Sequence, residues 1–143
     1  RDSCRGRPIP RTTAALVRGI RTLRERDGAE VDRVLNRLGA LADRASSRKR
    51  CPDATTFGAS ADEAHALLSE LGLSTPELEL AVGSMREAGA RGAKLSGAGG
   101  GGAFYGVFDS ADAAADAASW LEKKTAQADV SLVYLRPVAV GRA

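Results

Sequence analysis

Six of the eleven residues from Gly92 to Gly102 are glycine, and five of those six fall in the run 97–102. Glycine has no Cβ and enters positive φ at little cost, so a run of this kind is excluded from a helix interior and from a regular strand. It must be a loop, and one that can approach another group closely. Ala93-Lys94-Leu95 precedes it and Ala103-Phe104-Tyr105-Gly106-Val107-Phe108 follows it. The spacing predicts a strand over 92–96, a loop over 97–102 and a buried strand over 103–108. Successive backbone N–H groups in such a loop can converge on one small anion, of which phosphate is the usual example. The competing reading is a connector. A plain hairpin needs only two turn residues, however, and a flexible linker has no reason to be bracketed by apolar strands. The run is not a Walker A loop, which ends in Gly-Lys-Ser/Thr, nor does it stand in the strand-to-helix setting of a dinucleotide fingerprint.

Before this loop the pattern is helical. Leu16, Ile20 and Leu23 share one face of a helix over 12–27, with Thr12 or Thr13 as N-cap and Gly28 as the stop. Val31, Leu35, Leu38, Ala42 and Ala45 repeat the spacing over 29–45, which predicts a helical hairpin. The stretch 48–60, with Cys51-Pro52-Asp53 and Gly58, has no period and reads as a surface loop. A third helix is expected from Ala61, carrying Ala64, Leu68 and Leu71, its start marked by the capping-box pair Ser60 and Glu63. Gly72 ends it, and Ser74-Thr75-Pro76-Glu77 opens a fourth with Leu78, Ala81, Val82 and Met85 inward. After the second strand, Asp109-Ser110 caps a helix through Lys124 with Ala111, Ala114, Ala118 and Leu121 inward, and Val130 to Val140 is extended.

If the residues up to about Gly6 end a strand, the order is strand, helices, strand, strand, helix, strand. That is an α+β, ferredoxin-like (split βαβ) antiparallel sheet with additional helices in the first crossover. Helices on one face would bury its apolar side. A chain of 143 residues with 43% hydrophobic content suits one such domain. It has no apolar run of membrane-spanning length, and a soluble, intracellular, cytoplasmic setting is expected, with an organelle still open. Cys4 and Cys51 lie far apart without a CxxC or Cys/His cluster, so two reduced thiols are expected rather than a zinc site or a disulfide framework.

Charge is uneven: residues 1–50 hold 14 Lys and Arg against 6 Asp and Glu, and residues 51–143 hold 7 against 12. A basic third invites an anionic partner. Arg18, Arg21, Arg24, Arg33, Arg37 and Arg44 nevertheless recur at helical spacing, as on a solvated helix face. Aromatic residues are 4% of the chain and no nucleic-acid-binding signature stands out, so neither nucleic acid nor membrane is an expected partner. His65 has no metal-ligand spacing around it and reads as a partly exposed helix histidine. Trp120, Phe104, Tyr105 and Phe108 read as core.

The run Lys94-Leu95-Ser96-Gly97-Ala98-Gly99-Gly100-Gly101-Gly102 resembles the third motif of the GHMP kinases, named for galactokinase, homoserine kinase, mevalonate kinase and phosphomevalonate kinase. Its wording is that of the mevalonate kinase branch, although some sugar-1-kinases share it. Ile9-Pro10-Arg11-Thr12-Thr13-Ala14-Ala15-Leu16-Val17 is similar to the stretch that follows the first strand of the C-terminal domain in that branch. Leu71-Gly72-Leu73-Ser74-Thr75-Pro76-Glu77-Leu78 resembles the linker and helix ahead of the glycine motif. The three together span essentially the whole chain. The departures are Ser96, where threonine is frequent, and Ala103, where cysteine is common.

The resemblance implies that residues 1–143 are a GHMP kinase C-terminal domain. The enzyme would be an ATP- and Mg²⁺-dependent small-molecule kinase converting mevalonate to 5-phosphomevalonate, a step of isoprenoid and sterol biosynthesis. The family's phosphate loop, its catalytic Asp and Lys and its Mg²⁺ ligands belong to an N-terminal domain without a counterpart in this sequence. No catalytic residue and no metal ligand is therefore expected here, and the chain alone is expected to be inactive. Its partners would be mevalonate and that N-terminal domain, with a homodimer left open. Arg11 would pair with the substrate carboxylate or a phosphate, the other reading being a solvated helix start. Thr13 would hydrogen-bond substrate, or else serve as N-cap. Ser96, Gly97, Ala98, Gly99, Gly100, Gly101 and Gly102 would line the cleft and stabilise phosphate charge. Lys94 is either a phosphate ligand or a structural ion-pair partner on the strand. Outside the mevalonate kinase reading stand a sugar-1-kinase of the same superfamily and a non-catalytic ferredoxin-like small-molecule-binding module.

Overall fold

A computed structural model describes residues 12–46 and 53–127. In chain order they form α1 (Thr13–Arg26), α2 (Gly28–Ser46), α3 (Ala54–Glu70), α4 (Pro76–Glu87), β1 (Gly92–Leu95), β2 (Phe104–Val107) and α5 (Ala111–Gln127). The expected α+β class holds: helices pack around a two-stranded antiparallel sheet with Gly92 opposite Val107 and Leu95 opposite Phe104. The strands expected up to Gly6 and from Val130 to Val140, and both cysteines, lie outside the described residues.

Thr12 is the N-cap of α1, its hydroxyl accepting from the Ala15 N–H at 3.2 Å. Gly28 does not stop this helix but opens the next. Asp27 closes α1 by donating its N–H to the Leu23 carbonyl at 2.8 Å, so a single residue separates α1 from α2. The Arg-rich face of this hairpin is solvated as expected, and much of it pairs with acids of the same chain. Arg24 meets Asp32, Arg33 meets Glu30 and Glu70, and Arg37 and Arg44 both meet Glu63. Exposed pairs of this kind contribute little stability each, but several of these tie α2 to α3.

The third helix departs from expectation. It begins at Ala54, inside the presumed loop, because Asp53 caps it: Asp53 Oδ1 accepts from the Thr56 N–H at 2.8 Å and Oδ2 from the Thr56 hydroxyl at 3.1 Å. Ser60 is then mid-helix, donating its hydroxyl to the Thr56 carbonyl, and Glu63 faces the α2 arginines instead of completing a capping box. Gly58 does not break the helix. It is where α3 crosses β1, and an ideal Cβ on Gly58 or on Gly92 would overlap the other segment's backbone. The helix ends as expected at Gly72, whose φ is +70°. Gly72 and Leu73 donate back to Ser69 and Leu68, the double closure of a Schellman end, and this delivers Leu73 to its place beside the glycine loop.

Thr75 caps α4, with Pro76 in its first turn. Ser110 caps α5 through the Ala113 N–H at 3.1 Å, while Asp109 pairs with Arg91. The inward row of α5 is Ala117, Leu121 and Thr125 rather than the expected Ala111, Ala114 and Ala118. Alanines carry too little apolar area to set a helix's rotation, and fully buried Leu121 sets it instead. Thr125 is accommodated because its hydroxyl donates to the Leu121 carbonyl at 2.8 Å. Trp120 is consequently not core: it is 38% exposed, with the Lys124 ammonium 4.7 Å from its ring centre.

Two apolar clusters result. One joins Val31, Val34 and Leu41 of α2 to Leu67 and Leu71, with Ile20 and Leu23 of α1 against it. The other joins Val82 and Met85 of α4 to Ala93, Ala117 and Leu121, with half-buried Phe104 and Phe108 packed on it. Helix α3 stands between them, one face in the first cluster and another along β1.

Candidate functional site

The glycine loop hangs between two short strands that hold its ends. The Ser96 N–H donates to the Ala103 carbonyl at 2.8 Å and closes it. Inside, Gly97 has φ +76°, and Gly99 to Gly102 have φ of +82°, +72°, +116° and +107°. Four consecutive residues at positive φ are accessible only to glycine, so the composition of the run is a backbone requirement and not a sign of slack.

One side of the loop is docked. The Gly100 N–H donates to the Leu73 carbonyl at 2.7 Å, and a Cβ on buried Gly99 would overlap that same carbonyl. The other side is open: a Cβ built on Gly97, Gly101 or Gly102 meets nothing within 4 Å. Within the run expected to line the cleft, Gly100 therefore spends its N–H inside the protein. The glycines of the run with open space beside them are Gly97, Gly101 and Gly102.

The strand entering the loop is fixed from two directions. Its last residue, Leu95, donates its N–H to His65 Nδ1 at 3.2 Å and accepts at its carbonyl from Lys94 Nζ at 2.6 Å. Lys94 lies across from Tyr105 in the sheet, its ammonium 5.4 Å from the ring centre, and Phe57 stacks on Tyr105 at 6.3 Å between centroids. Partial burial pushes the Lys94 ammonium below its usual lysine range. The contacts of the Lys94 ammonium are thus a backbone carbonyl and an aromatic ring, not the carboxylate of the expected ion pair. One residue earlier, the Ala93 peptide is clamped: Asp62 Oδ1 accepts its N–H at 2.9 Å, and Arg86, itself 2.7 Å from Asp62, donates to its carbonyl at 3.2 Å.

These partners come from one row of α3. Gly58, Asp62, His65 and Ser69 recur at three- and four-residue steps and face β1 and α4. Seven helical residues rise about 10.5 Å and three strand residues about 10 Å, so the row and the strand keep pace. His65 is the clearest departure from expectation, since it is 3% exposed rather than partly solvated. The partners of Asp62 and His65 are backbone N–H groups about thirty residues further on, which no side-chain spacing records.

Thr13 is exposed in the first turn of α1, and the cap is Thr12, so the capping reading of Thr13 does not hold. No described contact joins Thr13 to the loop. Arg11 lies outside the described residues. Among the described residues no group of three or more His, Cys, Asp or Glu could hold a metal ion, and no helix is long and apolar enough to cross a membrane.

Residues 20–126, from within α1 into α5 and including the β-hairpin and glycine loop, match the family model described as GHMP kinases C terminal. The chain belongs to the GHMP kinases. Individual members of this kinase family agree with the assignment. The mevalonate kinase of Archaeoglobus fulgidus is 33% identical over 101 residues, covering 68% of this chain and 33% of the relative. That of Pyrococcus horikoshii is 38% identical over 99 residues, 66% of this chain and 30% of the relative. Among solved structures, L. major mevalonate kinase in complex with R-mevalonate superposes with a TM-score of 0.71 at 27% identity, over 81% of this chain and 36% of that one. The chain thus spans about a third of the length of the GHMP kinases it matches.

Proposed function

We propose that this chain is the C-terminal part of a mevalonate kinase, which transfers the γ-phosphoryl group of ATP to the primary alcohol of mevalonate and yields 5-phosphomevalonate and ADP. The observation that carries this reading is the glycine loop, docked on Leu73 on one side and open on the other, in a chain whose kinase relatives act on mevalonate by name. When bound, ATP supplies the phosphoryl group and Mg²⁺ neutralises its charge, with the ion's ligands expected in the N-terminal domain.

The open face fits a phosphate. A Cβ on Gly97, Gly101 or Gly102 would meet nothing within 4 Å, which leaves room beside each of these residues, and a glycine backbone lets a small anion approach closely. In phosphoryl transfer, charge spreads over the equatorial oxygens and little covalent work falls to the protein. Donors already in place where that charge develops are then the main source of rate. Ser96 spends its N–H on Ala103, and by its match to the family motif its hydroxyl would serve at the cleft. Arg11, by its match to the family's substrate-side arginine, would hold the mevalonate carboxylate, and Thr13 would hydrogen-bond the same substrate. A homodimer and a cytoplasmic location are compatible with this reading and follow from the resemblance alone.

The test is direct. The full-length protein is expected to release ADP in strict dependence on mevalonate, with 5-phosphomevalonate identified by mass spectrometry. The purified 143-residue chain is expected to give no turnover under the same conditions, because the groups that activate the alcohol and hold Mg²⁺ lie elsewhere. ADP release that follows a sugar in place of mevalonate would move the assignment to another branch of the family, and sustained turnover by the isolated chain would place the catalytic residues here.

A further inference from the structure

His65 is buried at the point where α3, α4 and β1 meet. Its Nδ1 accepts the Leu95 N–H at 3.2 Å, which leaves Nε2 to carry the ring proton. Nε2 lies 3.2 Å from Glu79 Oε1, off the axis of a hydrogen bond, and Ser69 holds that same oxygen by donating to it at 2.8 Å. The neighbouring Ser74 hydroxyl, with smaller contributions from Ser69 and His65, holds the Glu79 carboxyl below the usual carboxylate range, so the ring proton faces a carboxylate. The Leu95 N–H points away from β2: the next residue, Ser96, donates to Ala103 at the start of the opposite strand, and successive strand N–H groups point to opposite edges. Without His65 that N–H would be a buried donor with no partner from its own sheet. Leu95 is also the last strand residue before the loop. A shift there is passed to Ser96 and Gly97 through one or two peptide bonds.

We propose that His65 is a positioning residue for the glycine loop, tying the Leu95 amide to α3 and, through Glu79, to α4, and so setting where the loop's open face stands relative to the transferring phosphate. The proposal rests on the loop being the phosphate cradle of the kinase. His65 touches neither substrate nor phosphate, and its action is on kcat through loop placement.

The test uses the full-length enzyme with ATP and mevalonate, and reads both steady-state kinetics and hydrogen–deuterium exchange at residues 95–103. His65→Phe keeps the ring and its volume but removes the acceptor. It is expected to lower kcat roughly ten- to a hundredfold with a smaller change in either KM, since a displacement of about an ångström at a reacting centre has effects of that size. Exchange at Leu95 and through the loop should quicken. His65→Gln offers one acceptor and one donor on a neutral side chain and is expected to restore kcat to within a few-fold of wild type. Glu79→Ala, at a position 51% exposed by its side chain, removes the second anchor without opening the core, and a few-fold fall in kcat with faster exchange at Leu95 is expected. Wild-type kcat and exchange in Glu79→Ala overturns the proposal even if His65→Phe does not fold. Equal losses of kcat and melting temperature in the Phe and Gln variants also overturn it, by reducing His65 to a core residue. If the wild-type enzyme does not phosphorylate mevalonate, the functional assignment fails, while the exchange measurements still decide whether His65 holds the loop.

Discussion

Gly101→Ala in the full-length kinase is expected to lower kcat for mevalonate phosphorylation by roughly a hundredfold or more, the scale of losing one preorganised donor at a developing charge. The site of substitution matters. Gly101 sits at φ +116° on the open side of the loop, where a Cβ meets nothing, so the strain of the new side chain is relieved by local movement of the loop. The accompanying loss of stability should stay near 1 kcal/mol or somewhat more, the usual size for alanine replacing a glycine at positive φ. Gly99→Ala is the instructive contrast. Its Cβ overlaps the Leu73 carbonyl, and any relief must break the bond from Gly100 to that carbonyl, so kinetics and melting temperature fall together. A large drop in kcat with a small drop in melting temperature at Gly101, beside a combined drop at Gly99, separates the cradle from its mounting. Unchanged kcat at Gly101 would make the run a connector.

Much of this was legible in the sequence because the signals were backbone requirements. A glycine run between two apolar strands has few other solutions, and Ser74-Thr75-Pro76-Glu77 can hardly be anything except a helix start. The α3 boundary was hidden for a physical reason. Gly58 and two threonines depress helix propensity, and the gain that overrides it is tertiary: only glycine at Gly58 lets the helix lie against the Arg91 backbone at the start of β1. The rotation of α5 was hidden because an alanine-rich helix has an apolar stripe on several faces, and Leu121 breaks the tie only once α4 is in place. His65 was misread because a lone histidine carries no spacing. Its partner is a backbone N–H thirty residues away, which no side-chain pattern records. The loop could be located, then, but what holds it could not.

The crossing of α3 and β1 carries the largest stability effect expected in the chain. Gly92→Ala places a Cβ within the Gly58 carbonyl, and because both neighbours are backbone, no side chain can swing aside to make room. The helix must lift from the strand, which strains the bonds from the Ala93 and Leu95 amides to Asp62 and His65. Overpacking of this kind typically costs about 1–3 kcal/mol, and this case should reach the upper end because it also loosens two buried donors. At about 3 kcal/mol the melting temperature should fall by roughly 10 °C for a domain of this size. The same substitution elsewhere in the chain supplies the control. Gly39 is an exposed glycine inside α2 whose Cβ would meet nothing, and there alanine should stabilise by about 0.5–1 kcal/mol through helix propensity alone. Opposite signs at Gly92 and Gly39 attribute the loss to the crossing and not to glycine content. If Gly92→Ala melted at or above wild type, α3 would not need to lie so close to β1, and the bonds that seat the loop would have to be held by something other than the Gly58–Gly92 contact.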